Sequence, residues 1–190
     1  MIPYCKGKVR VTSPFGMRTL GGKTAMHKGV DLVGTDKTVT AVEGGTVLFS
    51  RILDKSTGNR TWEWGNYICI RTESGMLHYY CHLASRLVKA GESVKKGQII
   101  GKEGSTGYST GSHLHFEVRD KTGTSVDPAP TLGIDSRTGS HDAARLYHRT
   151  MVGDACGLDT WIRTCTAFHL SVEASYISVL LGSAAIGSEI

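Results

Sequence analysis

Short runs in which apolar and polar residues alternate fill the first two thirds of the chain, and each run has the length of a strand. Residues 8–12, 39–42, 46–52, 67–72, 76–82, 98–101 and 113–119 form the series. Turn formers stand between them: Gly44-Gly45, Glu73-Ser74-Gly75 and Gly104-Ser105-Thr106-Gly107. Strand-length runs bounded by Gly, Ser and charged residues predict β-strands, and the close spacing of several predicts antiparallel pairing. The expected fold class is mainly β, an antiparallel sheet or two packed sheets.

The pattern changes after Asp127-Pro128-Ala129-Pro130. A boundary there predicts a domain at residues 1–133 and an extension at 134–190. Within the extension Trp161, Cys165, Phe168, Val172 and Val179 recur at close to helical spacing, so a small helical C-terminal extension is expected. Its many Ser, Thr and β-branched residues weaken that helix. Residues 170–186 are too few to span a bilayer and Glu173 interrupts them, so no membrane span is expected.

Two short pieces carry the chemistry: His27-Lys28-Gly29-Val30-Asp31 and His113-Leu114-His115. A catalytic zinc takes three nitrogen, oxygen or sulfur ligands and leaves a fourth position open for water. His27, Asp31 and His115 can supply the three, with His113 left to handle protons. In a strand, residues i and i+2 share a face, so His113 and His115 point together while Leu114 and Phe116 point into a core. Gly29 argues against a helix and permits a bend that lets His27 and Asp31 converge. Alone, the first motif is a weak signal and the second a moderate one; together they predict a zinc hydrolase. The remaining His141, His148 and His169, with Cys156 and Cys165, fit no zinc spacing.

From about Val11 to Pro128 the chain resembles the lysostaphin-type, or LytM-type, zinc metallopeptidases of peptidase family M23, which cut peptide bonds in bacterial peptidoglycan. The resemblance runs through Ser13-Pro14-Phe15-Gly16-Met17-Arg18, the His27 to Leu32 stretch, Ala41-Val42-Glu43-Gly44-Gly45-Thr46-Val47 and Gly65-Asn66-Tyr67-Ile68. It continues through Tyr80-Cys81-His82-Leu83, the Gly91 to Gly101 stretch, Gly104-Ser105-Thr106-Gly107, the Ser109 to Glu117 stretch and Val126-Asp127-Pro128. It implies a two-sheet β core with a groove, one Zn2+ held by His27, Asp31 and His115, and catalytic roles for His113 and His82. In that family His113 matches the residue taken to activate water and His82 the one that orients it and stabilises the oxyanion. The Gly-rich approach to His113 is expected to form a groove wall. His78 shares a strand face with Tyr80 and His82 if the run is extended, and Glu117 sits where it can orient His115.

Charge and leader residues refine the picture. The chain has 18 Lys and Arg against 11 Asp and Glu up to Gly133, and 4 against 6 beyond it. A basic body suits an anionic target, either cell wall or nucleic acid. No basic helix or aromatic-interleaved patch favours nucleic acid, so peptidoglycan is the expected partner. Residues 1–6 show no apolar signal-peptide run, which predicts a phage-encoded protein made in the bacterial cytoplasm and acting on the wall as an endolysin or virion-associated enzyme. Five cysteines follow no disulfide framework, and Cys69 and Cys81 read as buried thiols of a reducing compartment. The competing functions are a catalytically silent peptidoglycan-binding relative and a virion structural protein. For the extension, packing against the domain is favoured over a wall-binding or oligomerising role.

Overall fold

Alternation is plainest in the first strand, where Val9 and Val11 are buried while Lys8, Arg10 and Thr12 face solvent. The computed structural model describes residues 1–52, 55, 60–135 and 139–143. In chain order its strands are β1 (Lys8–Ser13), β2 (Gly16–Leu20), β3 (Lys23–His27), β4 (Val30–Gly34), β5 (Thr38–Thr40), β6 (Gly45–Arg51) and β7 (Asn66–Thr72). They continue as β8 (Leu77–Leu83), β9 (Ser85–Arg86), β10 (Ser93–Val94), β11 (Ile99–Lys102), β12 (Leu114–Arg119), β13 (Ser125–Val126) and β14 (Gly139–Asp142). A single helical turn, α1 (Ala129–Leu132), follows Pro128 and ends on Gly133 in the left-handed conformation.

The main sheet runs β10-β6-β7-β8-β12-β4-β1-β14, with β13 added to β12, and a smaller sheet runs β5-β11-β9. Every pairing is antiparallel. The fold is therefore mainly β with antiparallel sheets, as the alternating runs predict. Val9, Leu32, Ile68, Ile70, Leu114 and Phe116 of the main sheet meet Val39 and Ile100 of the small one in a shared core. Strands β7 and β8 are also covered on their other face, where Tyr67, Cys69, Tyr79 and Cys81 pack together under Trp64 and Phe49. Burial on both faces explains why Tyr67-Ile68-Cys69-Ile70 and Tyr79-Tyr80-Cys81 read as unbroken apolar runs. Cys69 and Cys81 are free, buried thiols.

Strand β14 lies beyond residue 133 and pairs with β1, Val9 facing His141, so the sheet continues past the expected boundary. The helical spacing at Trp161, Cys165, Phe168, Val172 and Val179 lies outside the described residues, as do His148, His169, Cys156 and Cys165. Among the described residues no helix is long and apolar enough to cross a membrane.

One irregularity matters for the site. Between β7 and β8, Asn66 faces Leu83 and Ile68 faces Tyr80, so Tyr67 alone opposes both Cys81 and His82. This is a β-bulge, and His82 within it has φ of 64°, the one positive φ among the described non-glycine residues. The extra residue breaks the alternation. His78 and Tyr80 stay on the core face against Phe116, whereas His82 turns to the opposite side with Cys81, whose partner across β12 is His115.

Candidate functional site

Three strands deliver the donor atoms. Asp31 on β4 sits directly opposite His115 on β12, so their side chains rise together from one face of the sheet. His27 ends β3 and reaches them across the turn at Lys28-Gly29. Gly29 is required there by space: a Cβ would stand 2.5 Å from the Phe116 carbonyl oxygen and 2.8 Å from the His115 ring. Leu114 and Phe116 are fully buried on the far face, which fixes the orientation of the His115 side.

The three donors converge closely. His27 Nε2 lies 3.2 Å from Asp31 Oδ1 and 3.1 Å from His115 Nδ1, and His115 Nδ1 lies 2.9 Å from Asp31 Oδ1. They form the group of candidate metal-binding side chains among the described residues. Their protons are committed elsewhere. His27 Nδ1–H donates to the Pro14 carbonyl at 2.7 Å, and because a carbonyl only accepts, Nε2 carries a lone pair. His115 Nε2 faces the Glu117 carboxylate at 3.9 Å, which favours the proton on Nε2 and the lone pair on Nδ1. Three lone pairs aimed at one point repel unless a cation lies among them. Two atoms each bound to zinc at about 2.1 Å in a tetrahedron stand about 3.4 Å apart, close to these separations. The donor set therefore fits a metal ion.

Surrounding groups hold the donors in place. Asp31 turns Oδ1 to the two histidines. Its second oxygen, Oδ2, accepts from Arg18 Nη1 at 2.9 Å, and the same nitrogen donates to Ser13 Oγ at 2.6 Å. Glu117 is buried, yet its contact with His115 and hydrogen bonds from Arg119 Nε and Ser125 Oγ hold its carboxyl down to about 2.

His82 and His113 stand beside the cluster with ring centroids 4.7 Å apart. Both are fixed by the Gly-rich segment, which forms a wall of the groove as its turn chemistry suggests. His82 Nδ1–H donates to the Thr106 carbonyl at 2.8 Å, and Thr106 Oγ1 is tied to the Leu83 carbonyl at 2.8 Å. His113 Nδ1–H donates to the Gly111 carbonyl at 2.8 Å, with Ser109 Oγ at 3.3 Å. In its neutral form each imidazole therefore carries its lone pair on Nε2, and the Nε2 of His113 is 3.8 Å from Asp31 Oδ1. Burial lowers the His82 pKa to about 4 despite the Thr106 bond, so this ring is neutral at neutral pH.

All five expected side chains, His27, Asp31, His82, His113 and His115, come together in or beside one cleft of about 260 Å³. Arg18, Trp64 and Tyr108 complete its walls. Arg18 received no role from the residue pattern; its only signal was its place in the Ser13 to Arg18 stretch. His78 is on the opposite face of the sheet and does not reach the cleft.

The sequence profile of peptidase family M23 matches residues 25–128. The peptidoglycan DD-endopeptidase ShyC of Vibrio cholerae is 41% identical over 111 residues, which is 57% of this chain and 24% of that protein. Among solved structures, the catalytic domain of lysostaphin from Staphylococcus simulans superposes with a TM-score of 0.53 at 34% identity, covering 66% of this chain and 90% of the other. A zinc containing peptidase from Vibrio cholerae gives 0.56 at 33% identity, covering 66% and 37%. The chain spans less than a third of the length of the curated relatives it matches first.

Proposed function

The chain belongs to peptidase family M23, and from that premise we propose that it is a zinc-dependent endopeptidase hydrolysing peptide bonds of bacterial peptidoglycan. The observation that carries this reading is the shared tautomer of His82 and His113. Both rings surrender Nδ1 to a backbone carbonyl, which leaves the lone pair of each neutral ring on Nε2, that of His113 3.8 Å from Asp31 Oδ1. A structural or purely binding protein has no need of two pre-oriented bases beside a metal cradle.

In this reading His27, Asp31 and His115 hold the ion. Zinc bound there supplies Lewis acidity, polarising a carbonyl and making water acidic near neutral pH. His113, partly buried at the rim and able to reach the cleft with Nε2, takes the proton from the attacking water and passes it to the leaving amine. His82, buried and neutral with its proton on Nδ1, accepts a hydrogen bond from the water at Nε2 and so orients it for attack. Its left-handed backbone is strain of about 1–3 kcal/mol retained at a working residue. Glu117 favours the His115 tautomer with its proton on Nε2, and Arg18 holds the orientation of the Asp31 carboxylate.

Mass spectrometry of fragments released from purified sacculi, with chelator and after zinc is restored, tests the proposal. Release that stops with chelator and returns with zinc is expected, and the new termini name the bond. No release from any wall type by protein carrying one zinc per chain would instead favour the silent peptidoglycan-binding reading.

A further inference from the structure

Arg18 is not consumed by holding Asp31. A guanidinium has five N–H donors, and among the described residues only the Nη1 pair is engaged, by Asp31 and Ser13. The side chain is 32% exposed and lines the cleft. It also stands one carboxylate's width from the metal position, since Asp31 turns Oδ1 to the two histidines and Oδ2 to Arg18. A positive charge at that distance is within reach of a group attached to the carbon next to a scissile nitrogen bound in the cleft.

Two classes of wall cross-link differ at that carbon. In a glycine bridge, the carboxyl of the residue supplying the nitrogen is locked in the next amide and carries no charge. Where the nitrogen comes from the outer centre of a diamino acid, the same carbon carries a free α-carboxylate. Guanidinium and carboxylate make paired charge-assisted hydrogen bonds, and next to a neutral amide Arg18 would gain none of them. Resting on the hydrolase reading above, we propose that Arg18 is a specificity-determining residue that selects cross-links whose nitrogen-side residue bears a free α-carboxylate over glycine bridges.

Two synthetic cross-linked peptides test this, identical except that the nitrogen-side α-carboxylate is free in one and a carboxamide in the other. The zinc-loaded chain is expected to favour the carboxylate by about 10–100-fold in kcat/KM, the worth of a charged hydrogen bond. Arg18→Gln should collapse that ratio toward one while retaining one metal per chain, and Arg18→Lys should keep part of it. If Arg18 only anchors Asp31, the variant slows both peptides alike and the ratio survives, which overturns the proposal, as do equal wild-type rates. Calorimetric binding of the two peptides to metal-free protein gives a second readout. Failure to cleave either peptide sinks the hydrolase reading, and the binding preference, present or absent, then still decides the role of Arg18.

Discussion

Asp31 works through both of its oxygens, one among the imidazoles and one on Arg18, so it couples the proposed metal cradle to the wall of the cleft. Removing His115 takes away one of three donors, and His115→Ala is expected to lose bound zinc together with activity. Metal analysis after gel filtration checks this. Glu117 is subtler. Its carboxylate faces His115 Nε2 at 3.9 Å and is itself held by Arg119 and Ser125. Glu117→Gln keeps the shape but removes the charge that makes the ring a better donor. Zinc affinity is expected to fall about 10–100-fold, measured by competition with a chromophoric chelator. An unchanged affinity would leave Glu117 with a packing role only. At this scale the residues were legible where the chemistry is carried by residue type: two histidines two apart, and a histidine four before an aspartate. Arg18 was not, because an arginine next to a turn is most often a solvated charge and only the fold brings it to Asp31.

The elements set how precisely these groups meet. The β3–β4 turn is closed by Gly29, and Gly29→Ala would drive a methyl into the Phe116 backbone and the His115 ring. Because backbone is the obstacle, the turn must move. Thermal stability should drop by an amount typical of overpacking, about 1–3 kcal/mol, with weaker zinc binding measured alongside. Leu114→Ala, which empties a fully buried site beneath β12, is expected to destabilise by about 2–5 kcal/mol in denaturant unfolding. The strands with one solvent face were readable from alternation, and the buried pair β7–β8 from aromatic and β-branched content. The bulge at His82 was not readable, because Tyr79-Tyr80-Cys81-His82 offers no polar position to mark a change of face. The β2–β3 hairpin escaped as well. Its residues 23–26 are all exposed and show no apolar period. The available signal was Gly21-Gly22, both at positive φ between the paired Leu20 and Lys23, which is the chemistry of a two-residue hairpin turn.

Over the whole molecule, His78 couples the fold to pH although it lies on the face away from the cleft. Its ring is 1% exposed, packs edge-on against Phe116, and has no hydrogen-bond partner for Nδ1 among the described residues. Burial lowers its pKa from 6.5 to about 4, with the N-terminal ammonium adding to the effect. The folded chain therefore binds this proton less readily than the unfolded one. Stability is full above about pH 6.5 and falls as the pH drops toward 4, by roughly 3 kcal/mol from this group. His82, lowered to about 4 by burial, adds to the same slope. Melting temperatures of metal-free His78→Leu across that range should show a flatter dependence than the parent, and an equal slope would remove His78 from the balance. The most direct test of the proposed chemistry is the rate at which zinc-loaded His113→Ala cleaves a peptidoglycan cross-link. A loss of about 10²–10⁴-fold with one zinc per chain retained is expected of a residue that moves the proton and does not hold the metal. Cleavage at the wild-type rate would contradict that assignment.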